Sequence, residues 1–287
     1  MKFYIITAMY NVDEWIDENI QALKKQTYEN FQAVLIDDIS TDKTVQVARQ
    51  SIGDDSRFEL IINSEKQYKT RNVVEAINAS CASDEDVVVL VDGDDKLAKP
   101  DVLQTLYDVY SEEDCWMTYG SYTGADGHRH KSCKPYRVNI IEQNSYRKTR
   151  WLASHLKTFK FKLWKQLGMD AFKVTDKDIA QAKLRSLLKL QLRNWYYWKD
   201  IKASDLHDAS GNFIRRVDDK AFSWPMLEMS GSRARYIENE LYIYRSERRP
   251  YNGPDKNYGE NKSEKWHTRL IRNVLAHKKS YKRLKEL

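Results

Sequence analysis

The sequence Val87-Val-Val-Leu-Val-Asp-Gly-Asp-Asp95 joins a short apolar run to an acidic turn. Consecutive apolar residues of this kind are typical of a strand buried on both faces, as in a parallel sheet. The turn then places three carboxylates within four residues, where they repel one another unless a cation is bound. Hard oxygen ligands favour Mg²⁺ or Mn²⁺. We therefore predict a metal site formed by Asp92, Asp94 and Asp95, the alternative being a solvated acidic turn.

Alternating strands and helices surround this stretch over the first 120 residues. Their βαβαβαβαβ order predicts an α/β fold with a Rossmann-like, mostly parallel sheet and helices on both faces. Ligands of such sheets bind at the carboxyl ends of the strands. These ends correspond to the loops 8–11, 37–42, 63–71 and 92–96. The predicted strands are Phe3–Thr7, Phe31–Ile36, Phe58–Ile62, Val87–Val91 and Trp116–Tyr122.

The second half of the chain is less regular and more basic. Residues 1–120 carry 11 Lys and Arg against 24 Asp and Glu, whereas residues 121–287 carry 37 against 18. We predict a helix over 179–198, a strand over 236–244 and a basic terminal helix over 266–287. The predicted division is a nucleotide-sugar half at 1–122, a helical, basic acceptor half with the catalytic base at 123–260, and the terminal helix from 261.

Composition excludes several classes of protein. With 41% hydrophobic and 31% charged residues, the 287-residue chain has the profile of a soluble globular protein. The longest apolar run is far shorter than the ~20 residues that span a bilayer, so no transmembrane segment is predicted. The first residues lack a secretory leader pattern. Three cysteines without C-x-x-C spacing fit a reducing, cytoplasmic location and argue against structural zinc.

Familiar nucleotide motifs are also absent from the sequence. Neither G-x-G-x-x-G, nor G-x-x-x-x-G-K-[ST], nor G-x-S-x-G occurs.

The carboxylate of Asp38, at the end of the second strand, could accept a hydrogen bond from a nucleobase or ribose, or the segment Ser40-Thr-Asp42 could simply cap a helix. Arg71 could bind a diphosphate with its fork, or be an ordinary surface arginine.

Several of these segments together resemble glycosyltransferase family 2 and its GT-A fold. The matching segments are Ile6–Asn11, Gln26–Phe31, Ile36–Thr44, Arg71-Asn72 and Val91–Asp95, in the family's order. The resemblance implies a nucleoside-diphosphate sugar donor and Mn²⁺ or Mg²⁺ as cofactor. It also implies site roles: Ala8, Tyr10 and Asn11 line the nucleotide, Asp38 contacts the base, Arg71 lies near the base or diphosphate, Asp92 and Gly93 lie at the ribose, and Asp94, with Asp95, binds the metal.

Inverting transfer needs one carboxylate to deprotonate the acceptor. The segment Val217–Gly231 resembles the family region where an acidic dipeptide starts a helix near the sugar. Asp219 is the predicted base, with Asp218 its neighbour and Glu228 a weaker candidate, while a plain helix cap is the alternative. His155 resembles the histidine of a recurring H-x-x-T-F segment and could contact the diphosphate or metal, or be structural. Residues 248–255 could form a loop that closes over the donor.

The sequence leaves the hydroxyl-bearing acceptor open. A metal-dependent, inverting transfer from a UDP-sugar to a glycan or lipid-linked saccharide is the main hypothesis. Alternatives are a hydroxylated base in DNA, extruded from the duplex, and a non-catalytic nucleotide-sugar or nucleic-acid binder. The basic region 123–287 could contact an anionic surface, or its apolar stripe could pack onto the sheet. That stripe consists of Leu184, Leu188, Leu192 and Trp195, beside Arg185, Lys189 and Arg193, with Tyr196, Tyr197 and Trp198 available for stacking.

Overall fold

The computed structural model describes residues 1–112, 114–245 and 262–287. In these ranges the chain forms eight strands and ten α-helices around one sheet. The strands are β1 (Phe3–Met9), β2 (Phe31–Asp37), β3 (Phe58–Ile62), β4 (Val87–Leu90), β5 (Lys96–Leu97), β6 (Met117–Gly124), β7 (Lys157–Lys160) and β8 (Ala234–Tyr244). The helices are α1 (Ile16–Lys24), α2 (Thr44–Ile52), α3 (Tyr68–Ser80), α4 (Val102–Glu112), α5 (Val138–Glu142), α6 (Phe161–Trp164), α7 (Asp176–Leu188), α8 (Leu192–Trp198), α9 (Asp218–Ser230) and α10 (Lys262–His277).

The sheet has the strand order β3-β2-β1-β4-β7-β6-β8-β5. The first four strands of this order run parallel, with Ile5 opposite both Ala33 and Val89. The other half is mixed: β7 is antiparallel to β4 and β6, β6 is parallel to β8, and β5 is antiparallel to β8. The predicted α/β class and the parallel core are confirmed. The carboxyl ends of β1, β2 and β4 lie at one edge, as the site prediction requires.

Alternation along the central strands builds a hydrophobic core on each face of the sheet. Ile6 and Val88 are buried in one core, whereas their neighbours Ile5 and Val89 are buried in the other. This is the period of two expected when both faces of a strand are covered. Helix α1 packs on the second face, and α9 packs on the first through side chains such as Phe222. None of the described helices has the length and apolar character required to cross a bilayer.

The predicted helix over 179–198 is two helices. Helix α7 ends at Leu188, and Leu190 adopts a positive φ of 54° before α8 begins. The Gln191 amide donates to the Ser186 carbonyl, and the Ser186 hydroxyl donates to the Gln191 carbonyl, so that two hydrogen bonds close this turn. The turn lets the indole of Trp198 enter the core, where its Nε1 donates to the Trp266 carbonyl. A continuous helix would not place Trp198 there.

The predicted terminal helix also ends early, at His277. The final residues instead run across α9: the Leu284 amide donates to the Met229 carbonyl, and the Tyr281 amide donates to the Glu228 carboxylate. Burial of Tyr281 and Leu284 against the first core outweighs continuation of a helix. The predicted division at 122/123 stays a prediction, and the sheet itself runs through that boundary because β6 pairs with β7 and β8.

Candidate active site

A cavity of about 190 Å³ opens at the carboxyl ends of β1 and β4, where the start of α9 faces them. Residues from both halves of the chain meet here, and some of them, such as Asp92 and Asp219, lie more than a hundred positions apart. Of the predicted site residues, the cavity is lined by five. Its lining consists of Ile6, Ala8, Lys69, Val73, Leu90, Asp92, Trp151, Ser154, His155, Lys157, Asp218, Asp219, Phe222 and Tyr244.

The carboxylate of Asp92 is paired with a lysine from the first turn of α3. Lys69 Nζ lies 2.6 Å from Asp92 Oδ1 and 3.8 Å from an Asp218 carboxylate oxygen. Burial alone would favour neutral Asp92, but the Lys69 charge overcomes it and holds the pKa of Asp92 at about 2. Burial likewise opposes the Lys69 charge, yet the two carboxylates raise the pKa of Lys69 well above its usual value. Asp92 is therefore an anion at neutral pH and Lys69 a cation.

Glycine at position 93 is required by the close approach of this turn to β1. A Cβ atom on Gly93 would lie 2.8 Å from the Cβ of Met9, a separation that a packed structure does not tolerate. Asp95 beyond it is held from two sides, by the Tyr242 hydroxyl at 2.7 Å and the Arg245 amide at 2.7 Å. Burial, with the charges of Asp94 and Asp92, raises the pKa of Asp95 to about 8.

Three side chains could hold a divalent cation. Ligand atoms of Asp92, Asp95 and His155 lie within 4.8 Å of one another. The His155 ring stacks on Tyr242 at 4.6 Å between centroids, and burial, with the Lys157 charge, lowers the pKa of His155 to about 3. Carboxylates suit both Mn²⁺ and Mg²⁺, whereas imidazole favours the less hard ion, so this set fits Mn²⁺ better than Mg²⁺, with Asp95 losing its proton when the cation binds. Asp94 lies outside this group, and burial raises the pKa of its carboxyl; its role as a ligand stays a prediction.

A second cluster lies at the ends of β1 and β2, next to Ala8. Asp38 Oδ1 accepts a hydrogen bond from the Gln67 amide at 2.8 Å, and Lys66 Nζ lies 3.2 Å from Oδ2 of Asp38. Lys66 also sits 2.9 Å from the centroid of the Tyr10 ring. Asn11 has a positive φ of 54°, and its side-chain oxygen accepts from the Thr41 amide at 2.8 Å. Tyr10, Asn11 and Asp38 are thus brought together, and the Asp38 carboxylate already has partners within the chain.

Two other predicted residues lie away from the cavity. Arg71 forms ion pairs with Glu75 at 2.7 Å and Glu65 at 3.1 Å, so its contact with the donor stays a prediction. Glu228, the weaker candidate for the base and a possible acceptor or diphosphate contact, does not line the cavity, and its role in the site stays a prediction. Its side chain has 0% exposure and forms an ion pair with Arg147 at 2.6 Å. The predicted closing loop, 248–255, lies outside the described residues.

The acidic pair at the start of α9 faces the Asp92 turn across the cavity. Asp219 has Lys220 Nζ at 3.0 Å. Burial opposes its ionisation, but the charges of Lys220 and Lys157 lower the pKa of Asp219 below its usual value. For Asp218 burial prevails over the attraction of Lys69, and its pKa is raised. Two neighbouring carboxyls with pKa values moved in opposite directions are an arrangement typical of acid–base sites.

Comparison with known proteins agrees with this geometry. The model of the family "Glycosyl transferase family 2" matches residues 4–169, which is more than half of the chain. The chain belongs to glycosyl transferase family 2. The sequence-based recognition of the family, its fold and the class of enzyme is thereby confirmed.

Relatives of this family 2 chain include the glycosyltransferase GlyG of Streptococcus pneumoniae serotype 4. GlyG is 22% identical over 252 residues, which cover 84% of this chain and 69% of GlyG. Among solved structures, S. aureus TarS 1–349 with UDP-GlcNAc aligns with a TM-score of 0.56 at 16% identity, over 87% of this chain and 60% of that chain. The mannosyltransferase PcManGT of Pyrobaculum calidifontis, with GDP-Man and Mn²⁺, aligns with a TM-score of 0.52 at 18% identity, over 87% and 58%.

Sequence reasoning missed several residues that line the site of this family 2 chain. Lys69 lies in the loop 63–71, which the sequence predicts to be at the ligand-binding edge of the sheet. A lysine there could have been predicted to pair with the acidic turn. Lys157 is 5% exposed in β7, and burial lowers its pKa. A lysine in an otherwise apolar strand could have been recognised as unusual. Trp151, Ser154 and Tyr244 carried no such signal.

Proposed function

We propose that this family 2 chain is a metal-dependent, inverting glycosyltransferase that moves a sugar from a UDP-sugar to a hydroxyl of a glycan or lipid-linked saccharide. One observation carries the proposal. A cavity at the carboxyl ends of β1 and β4 is lined by Asp92 and His155, two members of the group that could hold a cation, and by Asp219. In this arrangement a bound cation would neutralise the leaving diphosphate, while Asp219 would accept the proton of the incoming hydroxyl.

The proposed binding of a nucleotide-sugar donor is supported by the charge of Asp92 and by the ligands of similar solved structures. Asp92 is ionised and can accept hydrogen bonds from ribose hydroxyls, while Tyr10, Asn11 and Asp38 form a wall for the nucleoside. Asp92, Asp95 and His155 would hold the divalent cation, which would neutralise charge building on the diphosphate. The TarS structure contains UDP-GlcNAc and the PcManGT structure contains GDP-Man, so a UDP donor is our proposal rather than a property shared by both.

The acceptor side supplies the base. The acceptor oxygen forms a bond to the anomeric carbon on the face opposite the diphosphate, and the Asp219 carboxylate takes the hydroxyl proton. The bond from the anomeric carbon to the phosphate oxygen breaks, and the nucleoside diphosphate leaves with the electron pair. The ammonium groups of Lys69 and Lys157 lie in the same cavity and favour the charge that develops on the leaving group.

Donor turnover tests the proposal directly. The full chain is incubated with a panel of UDP- and GDP-sugars and Mn²⁺, and released nucleotide is measured. We expect hydrolysis of one UDP-sugar, with EDTA lowering the rate at least about tenfold because the diphosphate charge is then less well neutralised. Thermal shift with each donor is the control for slow hydrolysis in the absence of acceptor. If no donor is turned over and no donor produces a thermal shift, the assignment of the acidic turn is contradicted.

Replacement of the lysine that pairs with the acidic turn should weaken catalysis. Lys69→Met removes the charge-assisted hydrogen bond to Asp92, and we expect kcat/KM to fall about 10–100-fold. Lys162→Met is the matched control, since Lys162 Nζ makes a similar 2.5 Å ion pair with Glu85 on the surface. Steady-state kinetics of both variants decide the point. Equal kinetics for Lys69→Met and wild type would exclude a role for Lys69 at the donor.

The aromatic residues give the alternative of a DNA acceptor less support in the structure than in the sequence. Of the four consecutive aromatic residues, Trp198 is buried and Tyr197 stacks on Trp266 at 4.1 Å between centroids. Lys199 Nζ also lies 5.1 Å from the centroid of the Tyr196 ring, so three of the four rings already have partners within the described part of the chain. The proposed acceptor accordingly remains a saccharide, and competition by duplex DNA in the transfer assay separates the two. A cytoplasmic location likewise stays a prediction.

A further inference from the structure

The helical hairpin at 184–197 exposes an unusual concentration of apolar side chains. Eight of the twelve exposed large apolar side chains among the described residues lie in this segment, which we call the apolar hairpin. Leu188 is 75% exposed and Leu190 82% exposed. Exposed apolar surface of this extent on a soluble protein marks an interaction site. The alternative that the apolar stripe packs onto the sheet is wrong for three of its residues, because they are exposed: Leu184, Leu188 and Leu192.

The apolar hairpin is anchored on its other face. Ser186 and Trp198 are buried, and Tyr197 stacks on Trp266 of α10. The Arg185 guanidinium donates to the Asn273 side chain of α10 at 3.2 Å. The inward positions of α7 and α8 are therefore already filled, so the exposed leucines cannot turn inward without breaking these contacts.

The tip of the hairpin presents leucine where the backbone favours another residue. Leu190 has a positive φ of 54°, a conformation that is unfavourable for a non-glycine residue. Glycine or asparagine would fit this turn better. The side chain gains no packing in return, because it extends into solvent. A partner that binds the leucine would account for both features.

The segment that forms the apolar hairpin is also rich in positive charge. Residues 183–199 contain five Lys and Arg and no Asp or Glu. An open groove of about 620 Å³ between α8 and α10 brings three arginines together, Arg193, Arg269 and Arg272. Residues 265–277 of α10 also lack acidic side chains. Exposed leucines and aromatic rings beside a cationic groove complement a surface that is apolar within and anionic at its face.

We propose that the apolar hairpin inserts into the boundary between headgroups and acyl chains of an anionic lipid bilayer. Leu188, Leu190 and Leu192 enter the acyl region, Trp195 lies at the headgroup level, and the arginine groove binds lipid phosphates. Nucleic acid is the less suitable partner, because phosphates offer nothing to the exposed leucines. This inference is independent of the transfer chemistry proposed above.

Vesicle flotation tests the insertion. The full chain is mixed with phosphatidylglycerol–phosphatidylcholine vesicles or with phosphatidylcholine vesicles alone. We expect binding to the anionic vesicles, weakened by high salt, and about a hundredfold loss of partition for the double variant Leu188→Glu, Leu190→Glu. Val138→Glu is the matched control, since Val138 is exposed (68%) on α5, and it should bind as wild type does. Thermal melting should be unchanged because every substituted side chain is in solvent.

Tryptophan quenching by brominated lipids gives a second readout. Trp195 is exposed whereas the other seven tryptophans are buried or half-buried, so quenching should occur with wild type and disappear with Trp195→Phe. Vesicle binding that is unaffected by the double leucine variant would overturn the proposal. So would a soluble dimer that the double variant dissociates in the absence of vesicle binding, or binding to duplex DNA in place of lipid.

Discussion

Asp219→Asn should abolish sugar transfer, lowering kcat about 10²–10⁴-fold while donor binding is unchanged. The amide has the size of the carboxylate but cannot take a proton from the acceptor hydroxyl. Rapid kinetics with acceptor present, together with a thermal shift measured with donor alone, separate the two effects. Weakened donor binding with an unchanged rate constant for transfer would contradict the role of Asp219 as base.

The fold should survive this substitution. Asp219 lies in the first turn of α9, where a negative charge is favoured by the helix dipole by about 0.3–1 kcal/mol. Loss of that interaction is small beside the stability of a domain. Because Lys220 and Lys157 keep the pKa of Asp219 below its usual value, the wild-type carboxylate is ionised at neutral pH. The activity lost in the variant is therefore assignable to the proton acceptor.

Asp218→Asn is the matched control for that assignment. Asp218 is adjacent, lines the same cavity and interacts with Lys69 at 3.8 Å, but its raised pKa makes it the less ionised carboxyl of the pair. We expect a smaller effect, seen mainly in KM. If Asp218→Asn eliminates transfer while Asp219→Asn retains it, the base is Asp218 and the roles of the two residues are exchanged.

Much of this site was predictable because strand ends are predictable. The apolar run before Asp92 identified a buried parallel strand, and the carboxyl ends of parallel strands share one edge of a sheet. Asp92 and Ala8 were therefore expected to be neighbours, independently of the conformation of the loops. The acidic pair at Asp218 and Asp219 was placed by family resemblance, since no local pattern connects α9 to β4 across more than a hundred residues.

The remaining features depend on which element neighbours which. Lys157 and His155 reach the cavity because β7 inserts antiparallel next to β4, a pairing that periodicity does not reveal. The apolar stripe of α7 and α8 was a true amphipathic pattern, but a pattern does not say which face is covered. In the structure Ser186 and Trp198 face inward and the leucines face out, since Trp266 accepts the indole of Trp198. Tertiary packing decided each of these outcomes.

Arg147→Met should destabilise the protein by about 3–5 kcal/mol, because it leaves the buried Glu228 carboxylate without its cation. Arg147 is 5% exposed and Glu228 0%, and two parallel hydrogen bonds of 2.6 and 2.8 Å join them. A third donor of Arg147 reaches the Leu275 carbonyl at 2.6 Å, while Glu228 also accepts from the Tyr281 amide at 2.9 Å. Urea unfolding measures the loss.

The pair joins the segment around Arg147 to three other parts of the chain, α9, the end of α10 and the final residues, so the cost of breaking it should exceed that of any surface pair. Lys165→Met is the control: it removes an ion pair with Asp84 in which both side chains are largely exposed, and should cost about 0–1 kcal/mol. The double variant Arg147→Met, Glu228→Gln should recover part of the stability that Arg147→Met loses, since no buried charge is then left unpaired. If the double variant recovers stability and its transfer kinetics are unchanged, Glu228 stabilises the fold and takes no part in the reaction. An Arg147→Met protein as stable as wild type would mean that water reaches Glu228.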